Sequence, residues 1–185
     1  MKRMKKVCAV SCALLSVLLL ASAFAGEDNV VRWARIVGVI TALNVDNPVG
    51  NISSGTFPWT TRSGIAQVDL STGRVSWEVD GLVINGAAFS GTPGPITAVR
   101  GTLVCNAGGP NQTVFNTEAR LLNVHGDAQF SGRFNNGIPT TACGNPIFLI
   151  RIAAPAGAAG RWIATGADRS LVDESIPSPG TSETK

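Results

Sequence analysis

Ile65-Ala66-Gln67-Val68-Asp69-Leu70, then Ser71-Thr72-Gly73, then Arg74-Val75-Ser76-Trp77-Glu78-Val79-Asp80: in this stretch apolar and polar side chains alternate on both sides of a short connection that contains glycine. Successive side chains of an extended chain point to opposite faces, so alternation means one buried face and one wet face. Two such runs joined by a short Gly-containing link read as an antiparallel hairpin. The reading predicts Ala66, Val68 and Leu70 against the core with Val75, Trp77 and Val79. It turns Gln67, Asp69, Ser76, Glu78 and Asp80 toward water or a partner.

The same grammar extends to either side of the hairpin. Gly, Pro, Ser, Thr and Asn recur every few residues, and no long run of helix formers carries a 3.6-residue period. Strands are predicted over 30–43, as one bent strand or two with Gly38 as the bend or bulge, and over 82–85 and 96–105, the last placing Val99, Leu103 and Cys105 on one face. Others are predicted over 114–124, 128–134 and 161–165, with 147–152 as an apolar central strand buried on both sides. The fold class is therefore all-β, an antiparallel β-sandwich of about eight or nine strands. A closed β-barrel is the alternative, because inward-facing residues of the two look alike in sequence.

Residues 1–25 read as a cleavable signal peptide: Lys2, Arg3, Lys5 and Lys6 precede an apolar run over 7–20, and Ala23-Phe24-Ala25 supplies the small residues of a cleavage site. Cys12 lies before most of that run, which argues against lipidation there. No later segment is long and apolar enough for a membrane-spanning helix. The chain is thus expected to be exported, secreted or periplasmic, as one all-β domain over 27–172 followed by a disordered polar tail over 173–185. Within the domain, 153–160 is a low-complexity connection and 44–64 the longest loop.

Cleavage changes what the composition implies. The full chain has 15 Lys+Arg and 12 Asp+Glu, and four of the cations leave with the leader, so 11 remain against 12. Nucleic acid is excluded as a partner, since no basic patch or stripe is left. Cys8 and Cys12 also leave, and Cys105 and Cys143 are expected to form a disulfide in an oxidising compartment.

Most catalytic inventories are missing. Beyond the leader the sole lysine is Lys185 at the end of the tail, and neither a Gly-x-Gly-x-x-Gly turn nor a Gly-x-Ser-x-Gly elbow occurs. Ser182-x-x-Lys185 has no companion motifs. A zinc site wants four Cys or His ligands, and pairing the cysteines leaves His125 alone. No metal or cofactor is expected. Asn44, Asp46 and Asn47 offer oxygen ligands to calcium without the acidic density of a dedicated loop. Asn51-Ile52-Ser53 and Asn111-Gln112-Thr113 fit the glycosylation acceptor pattern.

Three constellations remain. His125 and Asp127 stand at i and i+2, so in an extended segment Asp127 could orient the imidazole toward Ser131 in a hydrolase; His125-Gly126-Asp127 equally reads as a turn. Asp69, Glu78 and Asp80 could supply paired carboxylates for glycoside hydrolysis, or merely keep a sheet face soluble. Phe57 and Trp59 sit in the longest loop, where they could stack on a glycan or cover an open end of the core. The expectation from this inventory is a non-catalytic exported protein acting in binding or as a structural or surface component. Its partner would be a glycan, a surface component or an apolar ligand. A small hydrolase and a barrel carrying an apolar ligand are the alternatives.

Overall fold

The hairpin forms in the register its alternation dictates. In a computed structural model, which describes residues 29–42, 44–86, 88–139, 142–153 and 159–171, Ala66 pairs with Trp77 and Val68 with Val75. All six residues assigned to the inner face are buried. The leader expected at 1–25 and the tail expected at 173–185 lie outside the described residues, as does most of the 153–160 connection.

The described strands are β1 (Val30–Gly38), β2 (Trp59–Thr60), β3 (Ser63–Asp69), β4 (Arg74–Asp80), β5 (Val83–Ile84), β6 (Ala98–Cys105), β7 (Thr113–Asn116), β8 (Arg120–Leu121), β9 (Ala128–Arg133), β10 (Ile147–Ala153) and β11 (Ala159–Leu171). The class is all-β. One antiparallel sheet runs β7-β6-β10-β11-β1-β3-β4-β9, with β8 on the same edge of β6 as β7, and β2 and β5 form a separate ribbon. The large sheet curls into a half-barrel, a shape between the sandwich and the closed barrel that alternation allows. Its two ends approach each other just after β9, where Asn135 N–H donates to Asn116 O at 2.9 Å and Asn136 Nδ2 to Val114 O at 2.8 Å.

The concave side is filled by aromatic and branched side chains, among them Trp33, Trp77, Phe130, Phe148, Leu103 and Ile150. Several of the rings lie on glycines. A Cβ at Gly166 would stand 2.5 Å from the Trp33 indole, one at Gly101 2.5 Å from Trp77, and one at Gly132 2.8 Å from Phe130. Glycine inside these strands is the space the rings occupy.

Two differences from the sequence reading have clear causes. Of the one bent strand or two expected over 30–43, a single strand forms among the described residues, and Gly38 is its end. Val39 N–H donates to Ile163 O and Trp59 N–H to Val39 O, which brings the Trp59 carbonyl against Gly38 where any side chain would collide. β6 is buried on both faces, Arg100, Thr102 and Val104 as well as Val99, Leu103 and Cys105. It lies between β10 and the β7–β8 edge. Nearby, the 44–56 excursion is fastened to β11, with Gly55 N–H donating to Trp162 O at 2.7 Å, Trp162 Nε1 to Asn47 O at 3.0 Å and Arg161 to Ser54 O at 2.7 Å.

The turn between β3 and β4 is held by Asp69. Its carboxylate accepts from Ser71 N–H at 2.9 Å and Thr72 N–H at 3.0 Å, and from both hydroxyls. Burial pushes this carboxyl up, but the Ser71 and Thr72 hydrogen bonds together outweigh it and bring the pKa down to about 2. A depressed folded-state pKa means stability that is present above the ordinary value of 3.8 and lost as pH falls toward 2. Asp69→Asn is expected to cost about 1–2 kcal/mol at pH 7, less than the full shift implies because the group is partly in water. Urea midpoints measured from pH 6 to 2 should show that the variant loses much of the wild-type decline below pH 4.

Cys105 and Cys143 are disulfide-bonded, with Cα atoms 4.8 Å apart and a separation of 38 residues. The bridge ties the end of β6 to the segment that enters β10.

Candidate functional site

The outer face of β1, β3, β4 and β9 carries a row fixed by strand register. Arg32 pairs with Gln67, Gln67 with Ser76, and Ser76 with Ser131, so four polar side chains cross four strands in line. A second row, Ile65, Glu78 and Gln129, lies two residues along the strands. Neighbours within a row stand about 4.8 Å apart and the rows roughly 7 Å apart, from strand spacing and rise. All seven side chains are exposed.

These rows line a groove of about 660 Å³, inside the ~300–1,000 Å³ range of small-ligand sites. It continues past Arg74 and Arg133 at one end, and past Asp80 and Asn123 at the other. The span from Arg74 to Asp80 along β4 is roughly 20 Å at strand rise, so the groove suits an extended ligand. Arg120 reaches in from β8 and lies over the Phe130 ring at 5.0 Å, a cation–π contact that sets its guanidinium beside the two rows.

What distinguishes the rows is that their polar groups are unspent. Among the described residues, Arg32, Gln67, Ser76, Glu78, Gln129 and Ser131 make no side-chain hydrogen bond or ion pair; the polar side chains at the turns do. Asp80 Oδ2 accepts from Ser63 Oγ at 2.6 Å, and Asp69 is committed to its turn.

The catalytic constellation is not assembled. Asp127 accepts from Gly81 N–H at 2.9 Å and Asn123 Nδ2 at 3.1 Å, with Arg62 at 3.8 Å. The Gly81 bond foremost, then the Asn123 bond, hold its carboxyl below the usual range. Asp127 therefore locks the corner after β4 onto the turn before β9. His125 lies exposed in that turn, its own N–H bonded to Asn123 Oδ1. Ser131 belongs to the groove row, six residues on, and no hydrogen bond joins it to His125 or Asp127.

Of the hairpin carboxylates, Asp69 and Glu78 do not form a catalytic pair. Asp69 is four residues from Ile65, the partner of Glu78, which separates the two carboxylates by more than 10 Å along the strands. A general acid also needs a raised pKa, and that of Asp69 is depressed. Glu78 lines the middle of the groove, and Asp69 and Asp80 line its two continuations.

Phe57 and Trp59 require a correction. Trp59 opens β2, paired with Ile84, and is 4% exposed; Phe57 is half-buried against the core. The ribbon covers one end of the core, so the pair is no exposed stacking platform. Asp46, one of the three oxygen-bearing residues of 44–47, accepts from Ser54 N–H at 2.8 Å, and this bond foremost lowers its pKa.

Sequence reasoning found Gln67, Ser76 and Glu78 as a polar face but missed that Arg32, Gln129 and Ser131 extend it. The signal was present in the alternation of 128–134, whose polar set is Gln129, Ser131 and Arg133. Comparison of the chain with protein-family models, curated proteins and solved structures finds no match.

Proposed function

We propose that this chain is an exported, non-catalytic binding protein that holds an extended polar ligand, of the glycan class, along the outer groove of β1, β3, β4 and β9. The observation that carries the reading is the set of amide, hydroxyl and charged side chains in register across four strands with no partner among the described residues. Such groups hydrogen-bond a ligand's hydroxyls without first breaking internal bonds. An apolar ligand would leave them desolvated and unpaired, at a cost. The leader-like sequence of 1–25 supports export, and the Cys105–Cys143 bridge is in keeping with an oxidising compartment.

The test is affinity electrophoresis of the purified protein through gels containing a panel of soluble neutral and acidic polysaccharides. At least one polymer is expected to retard the wild-type chain, and Gln67→Ala with Gln129→Ala to weaken that binding about 10- to 30-fold, at roughly 1 kcal/mol for each lost hydrogen bond. His125→Ala should leave the retardation unchanged. Retardation by no polymer, or retardation that the double variant leaves intact, refutes the groove.

A further inference from the structure

We propose that Arg100 and Arg151 form an oxyanion-binding site on β6 and β10, taking a small carboxylate or phosphate group. The two arginines are direct cross-strand partners, a placement that sets like charges side by side and is unfavourable by itself. Arg100 is 5% exposed and its Nε has no hydrogen-bond partner. Arg151 is half-buried; its Nε donates to Gly160 O at 2.8 Å and one Nη to Ala159 O at 3.0 Å, which leaves the other Nη uncommitted among the described residues.

No described carboxylate answers these charges. The ion pairs among the described residues join Arg35 to Asp168, Arg62 to Asp127 and Arg120 to Glu118. Glu118 follows Thr117, whose N–H bonds Gly101 O. It lies close in sequence to the β8 edge of β6, yet pairs with Arg120 at 3.9 Å. The 154–158 connection next to Ala159 contains no acidic residue. Burial first, and the Arg100 guanidinium second, pull the Arg151 pKa down. A guanidinium nevertheless keeps its proton at any ordinary pH, so neutralisation has to come from a counter-charge. Its planar fork matches the two-oxygen edge of a carboxylate or phosphate. Two adjacent forks, one nearly dry and one open on its outer side, therefore favour a bound oxyanion. The pair is separate from the groove, which β1, β3, β4, β8 and β9 line.

The experiment titrates the purified protein with sodium phosphate and, separately, sodium acetate, at ionic strength held constant with sodium chloride. Binding is followed by calorimetry, by Tm and by tryptophan fluorescence, since Trp162 is the β11 partner of Arg151. A saturable response to phosphate or acetate is expected, with a rise in Tm; whichever anion saturates at lower concentration identifies the source. In Arg151→Gln the affinity should fall at least about tenfold, while the Gln67→Ala, Gln129→Ala variant keeps it. The wild-type titration needs no variant to fold: a linear response equal to that of chloride overturns the site. So does a saturable response of equal strength in folded Arg151→Gln, which would mark an adventitious ion only.

Discussion

Trp33→Ala is expected to lower the free energy of unfolding by about 3–5 kcal/mol, a large part of the roughly 5–15 kcal/mol that holds a domain of this size together. Trp33 is 2% exposed on β1, the strand joined to both β11 and β3. Its indole lies over Gly166 and meets the Phe148 ring at 5.6 Å between centroids. Truncation removes the transfer energy of the ring and leaves a void. Gly166 has no side chain to move into that void, and Phe148, held on β10 between β6 and β11, can fill only part of it. Incomplete collapse puts the cost at the upper end of the range for aromatic-to-alanine changes. Urea unfolding monitored by circular dichroism measures it. An unchanged midpoint with unchanged m would mean that the ring does not pack in the core.

The residues that were legible in the sequence are those whose neighbours are local. Alternation over 65–80 needs only a tight connection to become a hairpin, so its inner and outer faces followed without knowledge of the rest. In the sequence Trp59 reads as a loop aromatic because β2 and β5 pair over two residues each, too short for any period to register. The groove was half visible for a related reason. Gln67 and Ser76 share a hairpin, but their alignment with Arg32 and Ser131 depends on β1 joining β3 and β4 joining β9, pairings set by the whole sheet. Arg100 and Arg151 each interrupt an apolar run. A lone charge in such a strand can face solvent; only the β6–β10 register shows that the two meet. Gly101, Gly132 and Gly166 carried a weaker mark of close approach within their strands, and the rings that fill the space came from other strands in two cases of three.

Replacing both Cys105 and Cys143 by alanine is expected to cost about 3–4 kcal/mol, the chain-entropy value for closing a loop of 38 residues. The closed segment contains β7, β8 and β9. β9 is the far end of the sheet path from β7, joined to β4, and the two ends approach each other at Asn116 and Asn135, so the closed segment crosses from one end of the path to the other and returns to β10. Fixing the two ends of that excursion limits the unfolded ensemble, and Asn106 N–H bonding Gly144 O at 2.9 Å continues the junction on the native side. Both cysteines are buried, so alanine adds a small packing loss. The double variant should show a lower urea midpoint and a larger m, because an uncrosslinked chain exposes more surface on unfolding. Wild-type protein unfolded in the presence of a strong thiol reductant should move onto the same curve. Coincidence of the oxidised wild type with the variant would show that the bridge contributes nothing. The expected loss also bears on the proposed export: a domain that draws several kcal/mol from one crosslink keeps its full margin only in an oxidising compartment. Retaining the chain in a reducing cytosol, by deleting 2–25, should therefore raise its susceptibility to proteolysis as the double alanine variant does in the exported form.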